Sequence, residues 1–376
     1  MKKVAIIGGG ISGLYFANIL NSQNDFKYKI FEKKESFNSS DGYGIQLSVN
    51  SVKLLNDIGF KQLPASKINY PSKVNFIQAS NSKKICDIDL TQFNDDLNRY
   101  TTLSRSTLSE FLLQNIPQQN IKFNTNIINI ETGDVVRIYF SDNSSEEFDY
   151  LIIADGVFSK TKTLVLKENL TPKYNLSVAL RGKLIGDYGK DISIFMGSNL
   201  HYVIYPINQN NEYNFVSIVK KKLNKQELTD YDLFSSEDFI NSLTKPLNKT
   251  SSLNFGNLKK VKAFPVFVSN GFPNLDNKNI FLSGDALFAF PPSFAQGASQ
   301  SIETGHDILK SILSDTNNLY EKRIQTISSI NNRSKLNNFS FHLSNPINIY
   351  IRNKVLRYLS KNKTFLENYL GKIYRN

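Results

Sequence analysis

Three glycines near the start of the chain have the spacing of a site for phosphate and ribose groups. Gly8, Gly10 and Gly13 follow an apolar run at residues 4–7. Glu32 comes nineteen residues after Gly13. Such glycines allow a tight turn, close approach of a pyrophosphate to the backbone, and close packing of a helix on a strand. The first N–H groups of that helix favour a phosphate, and a carboxylate accepts hydrogen bonds from a ribose. The sequence therefore predicts a bound dinucleotide.

The elements that must position these residues alternate between strand and helix over residues 1–60, as in a βαβ unit. Ser12 belongs to the turn and the first helix, and Lys33 directly follows Glu32. Both are candidate contacts for the dinucleotide. Farther along, the pattern predicts two antiparallel strands over 73–91, a helix over 106–114, strands over 121–154 and 176–220, a polar helical insert over 225–245, a strand over 279–282 and helices from about 297 onwards.

These patterns predict an α/β fold in which a Rossmann-like domain is interleaved with a smaller β-sheet domain and followed by C-terminal helices. We expect the following limits: a dinucleotide-binding domain at 1–70, 98–172 and 262–325, a substrate domain at 71–97 and 173–261, and a helical segment at 326–376.

Two later apolar strands also end in turns that carry a carboxylate. Asp155 and Gly156 follow the apolar run at 149–154, and Gly284 and Asp285 follow the run at 279–282. Each dipeptide alone is common in turns. Together, behind the glycine turn, they predict two further contacts with the dinucleotide.

A proline turn and a helix follow the second of these dipeptides. The turn contains Pro292, and the helix begins near Gly297 and Ala298. The positive end of this helix would stabilise a negative charge on a group bound beside it.

The composition excludes several classes of protein. Cys86 is the single cysteine, and His201, His306 and His342 lack ligand spacing, so we expect no metal site. The charge of 45 − 33 = +12 is diffuse, which favours an anionic substrate or an acidic membrane surface over nucleic acid. We find no signal peptide and no apolar run long enough to span a membrane, so we expect the cytoplasm.

In the order and spacing of these three motifs, the chain resembles the FAD-dependent aromatic hydroxylases, the class A flavoprotein monooxygenases. The likeness is greatest to the salicylate-hydroxylase-like and urate-hydroxylase-like branch, because GASQSIE at 297–303 looks like GANQAIED of that branch. Residues 42–47 with Asn50, Arg105 before its helix, the pair Arg181-Gly182 and the pair Tyr205-Pro206 also resemble it.

The chain departs from the family pattern at four positions. Phe288 replaces a histidine, Ala295 a glycine, Lys162 an arginine and Thr304 an aspartate. Lysine cannot reproduce the planar fork of arginine, so bidentate pairing at 162 is in doubt.

The resemblance implies noncovalent FAD, with NADH or NADPH as a transient reductant. It also implies O2 activation through a C4a-hydroperoxyflavin and hydroxylation of an electron-rich aromatic or heteroaromatic small molecule. The FAD contacts expected from the motifs and the resemblance are Gly8, Gly10, Ser12, Gly13, Glu32, Lys33, Gln46, Arg105, Asp155, Gly156, Gly284, Asp285, Pro292, Gly297 and Ala298.

Arg181 and His201 are the candidate catalytic residues. Arg181 could hold an anionic or phenolate oxygen, or could be a surface residue. His201, Val203 and Tyr205 share one face of a strand, and His201 could be a general base or a structural residue. Tyr202 and Tyr205 are expected to be packing residues, and Phe288, Phe290 and Phe294 could wall an apolar pocket.

Other functions remain open. A membrane-associated quinone-pathway hydroxylase and a polyprenyl reductase share this superfamily, whereas the absence of tryptophan argues against a flavin halogenase. Ile351, Val355 and Leu359 form a stripe on a basic C-terminal helix, which could touch a membrane but is expected to pack on the FAD domain. The sequence leaves the oligomeric state open.

Overall fold

The computed structural model describes residues 1–37, 43–166, 170–250, 258–275 and 277–375. Gly42 of the family-like segment lies outside these residues. The strands are β1 Lys2–Ile7, β2 Phe26–Phe31, β3 Gly44–Leu47, β4 Ile68–Asn69, β5 Lys73–Gln78, β6 Lys84–Asp89, β7 Thr101–Ser104, β8 Ile121–Lys122, β9 Ile127–Glu131, β10 Val136–Phe140, β11 Ser145–Phe148, β12 Tyr150–Ile153, β13 Lys173–Ile185, β14 Ile192–Gly197, β15 Leu200–Pro206, β16 Glu212–Lys220, β17 Lys259–Val268 and β18 Ile280–Leu282. The helices are α1 Ile11–Asn21, α2 Val49–Asn56, α3 Arg105–Gln114, α4 Lys160–Leu166, α5 Lys225–Thr229, α6 Glu237–Thr250, α7 Gly297–Ser314, α8 Asn318–Phe341, α9 Pro346–Leu359, α10 Lys363–Leu366 and α11 Lys372–Tyr374.

The first sheet holds the dinucleotide motifs. Its five parallel strands lie in the order β18-β12-β1-β2-β8. The apolar side chains of β1 and β12 are buried on both faces, as a parallel sheet covered by helices requires. Because the strands run in one direction, the turns that follow β1, β12 and β18 lie at one edge of the sheet. This confirms the predicted α/β fold.

The second sheet has seven strands in the order β17-β13-β16-β15-β14-β5-β6. Its neighbours pair antiparallel, except that β14 and β5 pair parallel. The chain enters this sheet twice, at β5–β6 and at β13–β17, and returns to the first sheet each time. The two sheets are therefore interleaved in sequence. β17 crosses the limit expected at residue 262, so this sheet extends to Val268.

Two small sheets and the C-terminal helices complete the structure. The small sheets have the orders β3-β7-β4 and β11-β10-β9. Helix α9 lies against β6 of the seven-stranded sheet, where the Arg357 Nε donates to the Ile85 carbonyl at 3.2 Å. The expected packing of the α9 stripe on the FAD domain is therefore wrong. Ile351 and Val355 are exposed, and Leu359 is half-buried. None of the helices in the described ranges is long and apolar enough to cross a membrane.

Candidate active site

The glycine turn after β1 has the geometry that its spacing predicts. Gly8 has φ +102°, and a Cβ there would lie 2.6 Å from the Ala154 carbonyl oxygen. A Cβ at Gly13 would lie 2.0 Å from the carbonyl oxygen of Gly8. A Cβ at Gly10 would instead meet nothing within 4 Å, so this glycine faces open space. The turn therefore packs tightly on its protein side and leaves its outer side free for a ligand.

Glu32 closes this turn from the end of β2. Its carboxylate accepts hydrogen bonds from the N–H of Gly9 at 2.8 Å and from the N–H of Lys34 at 3.0 Å. Glu32 is buried, and Lys33 beside it is exposed. The carboxylate thus stands next to the turn, where it can accept further hydrogen bonds from a ribose.

The three motifs are in direct contact. The Ser12 hydroxyl donates to the Ser283 hydroxyl at 2.7 Å, which joins α1 to the loop that carries Gly284 and Asp285. The Lys162 ammonium donates to the Ala286 carbonyl at 3.1 Å, which joins the same loop to α4. Lys162 makes this single contact with the loop, consistent with its lack of a planar fork.

Asp155 is the carboxylate of the second motif. One of its oxygens, Oδ1, is buried and has no hydrogen-bond partner among the described residues. Burial raises the pKa of this carboxyl group, and hydrogen bonds from Ser159 and Thr161 oppose that rise. A Cβ at Gly156 would face open space. An unpartnered acceptor beside an open backbone position fits a ligand that brings hydroxyl donors.

Asp285 lies in a cluster of charges. Asp285 is an exposed residue, and its side chain lines a cavity. Desolvation by the protein atoms around the carboxyl group raises its pKa, and the nearby cations Arg105 and Arg181 act in the opposite direction. Burial lowers the pKa of Arg181, whose guanidinium lies 5.8 Å from the centre of the Tyr43 ring. Asp285 and Arg181 therefore line the same cavity, and Arg105 is near enough to act on both through its charge.

The cavity itself has a volume of about 550 Å³ and lies between the seven-stranded sheet, β3, the proline turn and the C-terminal helices. Its walls are mainly apolar. His201, Val203 and Tyr205 all line it, which agrees with the prediction that they share one face of β15. Gln46 lines it from β3, and its side-chain oxygen accepts a hydrogen bond from the Tyr100 hydroxyl at 2.9 Å.

The proline turn and the start of α7 form the wall next to Asp285. Pro292, Gly297 and Ala298 all line the cavity, and a Cβ at Gly297 would meet nothing within 4 Å. No side chain of the described residues caps this end of α7. Its N–H groups and its positive dipole therefore face the cavity. Ala295 has φ +54°, a backbone conformation that favours glycine, the residue that the family resemblance implies at this position.

His201 is buried and forms a pair that the sequence did not reveal. Its Nδ1 lies 2.7 Å from the Nε2 of His342, and the nitrogen that remains for a cavity occupant is His201 Nε2. Burial lowers the pKa of His201 well below its usual value, and the neighbouring His342 lowers it further. Burial, assisted by the positive charge of Lys220, lowers the pKa of His342 to about 4. Both rings are neutral at pH 7, so a ring nitrogen of His201 can accept a hydrogen bond.

Only some of the aromatic residues lie where the sequence analysis expected them, either in the cavity wall or in the packed interior. Phe290 and Phe294 line the cavity, whereas Phe288 stacks on Phe272 with 4.2 Å between ring centres. Tyr202 is a packing residue, stacked on Phe195 at 4.5 Å. Tyr205 is buried, but it faces the cavity.

A buried ion-pair network links helix α7 to helix α8. Arg323 of α8 donates to Glu303 at 2.5 Å and to Asp307 at 2.7 Å. Gln300 joins the network through both carbonyl and amide groups. The network holds the helix whose first turn faces the cavity. Thr304 bonds back to its own helix at Gln300, 2.6 Å away.

The three motifs that the sequence predicts for a dinucleotide therefore lie beside one cavity with mainly apolar walls. The sequence pattern of the FAD binding domain family matches residues 1–322. The chain therefore belongs to this family, the class A FAD-dependent monooxygenases, and FAD is its cofactor.

Known proteins similar to this chain support the assignment. The 6-hydroxynicotinate 3-monooxygenase of Bordetella bronchiseptica is 24% identical over 311 residues, which cover 80% of this chain and 80% of that protein. The 3-amino-4-hydroxybenzoate 2-monooxygenase PtmB3 of Streptomyces platensis is 22% identical over 360 residues, 91% of this chain and 89% of that protein. The protein is an FAD-dependent monooxygenase.

Solved structures share the fold. HpxO of Klebsiella pneumoniae, complexed with FAD and uric acid, has a TM-score of 0.78 at 18% identity and covers 99% of this chain and 96% of its own. A salicylate hydroxylase substrate complex has a TM-score of 0.80 at 16% identity, and the match covers 100% of this chain and 95% of that chain.

Proposed function

We propose that the protein uses FAD, NADH or NADPH, and O2 to hydroxylate an electron-rich aromatic or heteroaromatic small molecule. The observation that carries this proposal is the cavity, which places apolar walls and one arginine directly beside the FAD motifs. The two relatives named above act on aromatic rings that carry hydroxyl or amino groups, which donate electrons to the ring.

The residues present fit noncovalent FAD. Gly10 and the start of α1 would face its pyrophosphate, and Glu32 a ribose. Asp285 and the start of α7 would face the flavin end. When bound and reduced by NADH or NADPH, FAD would activate O2, which provides one oxygen atom for the ring while the other leaves as water. The chain supplies the walls that exclude water and the positive helix end that stabilises negative charge on the flavin.

Arg181 would orient the substrate. It lines the cavity near Asp285, and its cation can hold an anionic or phenolic oxygen through two parallel hydrogen bonds. Its strand β13 is separated from β15 by β16, and Arg181 is level with Val203 rather than with His201. The main chains of Arg181 and His201 are therefore about 12 Å apart.

His201 would act on a substrate hydroxyl at the other end of the cavity. When the His201 Nδ1–H donates to His342, the lone pair of His201 Nε2 faces the occupant. That nitrogen can accept a hydrogen bond from a phenolic hydroxyl, which draws the O–H proton away from the ring and makes the ring more electron-rich. His342 fixes the proton on Nδ1 and thereby leaves Nε2 free to accept.

The experiment is NAD(P)H oxidation by the FAD-loaded protein across a panel of phenols, hydroxylated aromatic acids and purines. We expect one group of these compounds to stimulate oxidation. Arg181→Lys should then raise the apparent KM about tenfold (roughly 1.4 kcal/mol), because lysine keeps the charge but not the fork. FAD content is the control. Loss of FAD from this variant would make Arg181 a cofactor residue, and failure of every aromatic compound would contradict the proposal.

A further inference from the structure

The last helices carry an unusual concentration of exposed apolar side chains. Of the eighteen large apolar residues that are exposed in the described parts of the chain, seven lie within residues 336–358, each 47–69% exposed. We name them the α8–α9 surface: Leu336, Phe339, Ile347, Tyr350, Ile351, Val355 and Tyr358. Scattered exposed apolar residues are ordinary, but clusters mark interaction sites.

Helix α9 has a polar contact on the side that packs against the protein and apolar residues on its exposed side. A helix that only covers a domain has the opposite arrangement. Its inner face holds a buried arginine, Arg352, which bonds to the Ser340 carbonyl and the Gln78 side chain. Its outer face presents Ile347, Ile351 and Tyr358, which the spacing i, i+4 and i+11 places in one row. The polar contacts point into the protein, and an apolar row points out of it.

Charge distinguishes between the possible partners of this surface. Residues 322–366 contain nine lysines and arginines and no aspartate or glutamate. The exposed cations of this segment near the surface are Lys335, Lys354, Arg357, Lys361 and Lys363. A second copy of the chain would bring the same positive charge against it. A layer of anionic lipid headgroups would attract it and offer acyl chains to the apolar row.

The surface is also continuous with the cavity. Leu336 and Val355 are exposed and yet line the cavity, together with Leu356 and Leu359. An apolar molecule that left a bilayer at this point would meet these four apolar side chains where it entered the cavity.

We propose that the α8–α9 surface docks on the headgroup region of an anionic lipid bilayer and opens the substrate cavity to it. Docking depends only on the surface. The use of the opening for substrate uptake rests on the proposed hydroxylation. Vesicle binding without substrate therefore tests docking whether or not the hydroxylation proposal holds.

The test is co-sedimentation of the FAD-loaded protein with vesicles of phosphatidylcholine, with and without phosphatidylglycerol, at low and high salt. We expect binding to the anionic vesicles that weakens at high salt. Ile347→Ser/Ile351→Ser should weaken it at least about tenfold, because the row loses its apolar contact. Lys354→Gln/Lys361→Gln should weaken it by about tenfold at low salt and less at high salt.

Matched controls lie elsewhere on the chain. Ile185→Ser/Tyr231→Ser removes two exposed apolar side chains, and Lys222→Gln/Lys225→Gln removes two exposed cations. Both should bind vesicles as the parent protein does. The proposal is overturned if the parent protein ignores anionic vesicles or if the controls weaken binding as much as the surface variants. It is also overturned if sedimentation velocity shows that the apolar row joins two copies of the chain in place of binding lipid.

Discussion

The buried pair of His201 and His342 should make the stability of the protein fall steeply in mild acid. In the unfolded chain a histidine has a pKa of about 6.5, and in the fold the pKa of His342 is about 4. Below pH 6.5 the unfolded chain therefore binds a proton that the folded protein excludes. The contribution of the neutral histidine to the unfolding free energy is fully present above this pH and is lost as the pH falls toward 4.

The size of the effect follows from these two values. Between about pH 7.5 and pH 5.5, His342 alone should cost about 1.3 kcal/mol of unfolding free energy. The pKa of His201 is shifted in the same direction, so the loss from His201 adds to that from His342. The unfolding free energy is measured by denaturant titration of the FAD-loaded protein at both pH values.

The comparison protein is His201→Gln/His342→Gln, which can keep a hydrogen bond but cannot titrate. Between pH 7.5 and pH 5.5, its unfolding free energy should fall less than that of the parent protein, by at least the amount given above for His342. The other ionisable groups are present in both proteins, so their contributions to the pH dependence cancel in the comparison. Equal pH slopes in the two proteins would refute the argument that burial keeps this pair neutral, even if the variant were less stable at every pH.

Three further predictions concern the cofactor site and its support. Glu32→Ala should weaken FAD binding at least about tenfold, measured by flavin fluorescence, because a ribose and two backbone N–H groups lose their acceptor, while exposed Glu35→Ala should not. Asp285→Ala should also weaken FAD binding at least about tenfold, and unchanged affinity would mean that this carboxylate only shapes a turn. Arg323→Met should cost about 3–5 kcal/mol in denaturant unfolding because it leaves Glu303 buried without its cation, whereas Arg137→Met at an exposed ion pair should cost much less; equal losses in the two variants would contradict the stabilising role of the buried network.

Local patterns predicted the parts of the site that depend on neighbouring residues. The turns at Gly8, Asp155 and Asp285 each follow an apolar strand, and parallel pairing then brings them to one edge of the sheet. Alternation along β15 likewise predicted that His201 and Tyr205 face the same way. In each case the spacing within one strand or turn carries the information.

Contacts between distant segments could not be predicted in this way. His342 reaches His201 across 141 residues, and no spacing rule connects them. The stripe on α9 was expected on the FAD domain, but its helix lies on β6, because the partner of an amphipathic helix is decided by the assembled surface rather than by its own sequence. The contribution of the C-terminal helices to the cavity was missed for the same reason.

The most direct test of the central claim is the fate of molecular oxygen. The FAD-loaded protein is given NADH or NADPH, an aromatic substrate that stimulates oxidation, and isotope-labelled O2. The account predicts that reductant and O2 are consumed in equal amounts and that one labelled oxygen atom appears on the product ring. Label entering from water, or full turnover without oxygen, would contradict hydroxylation and indicate a reductase.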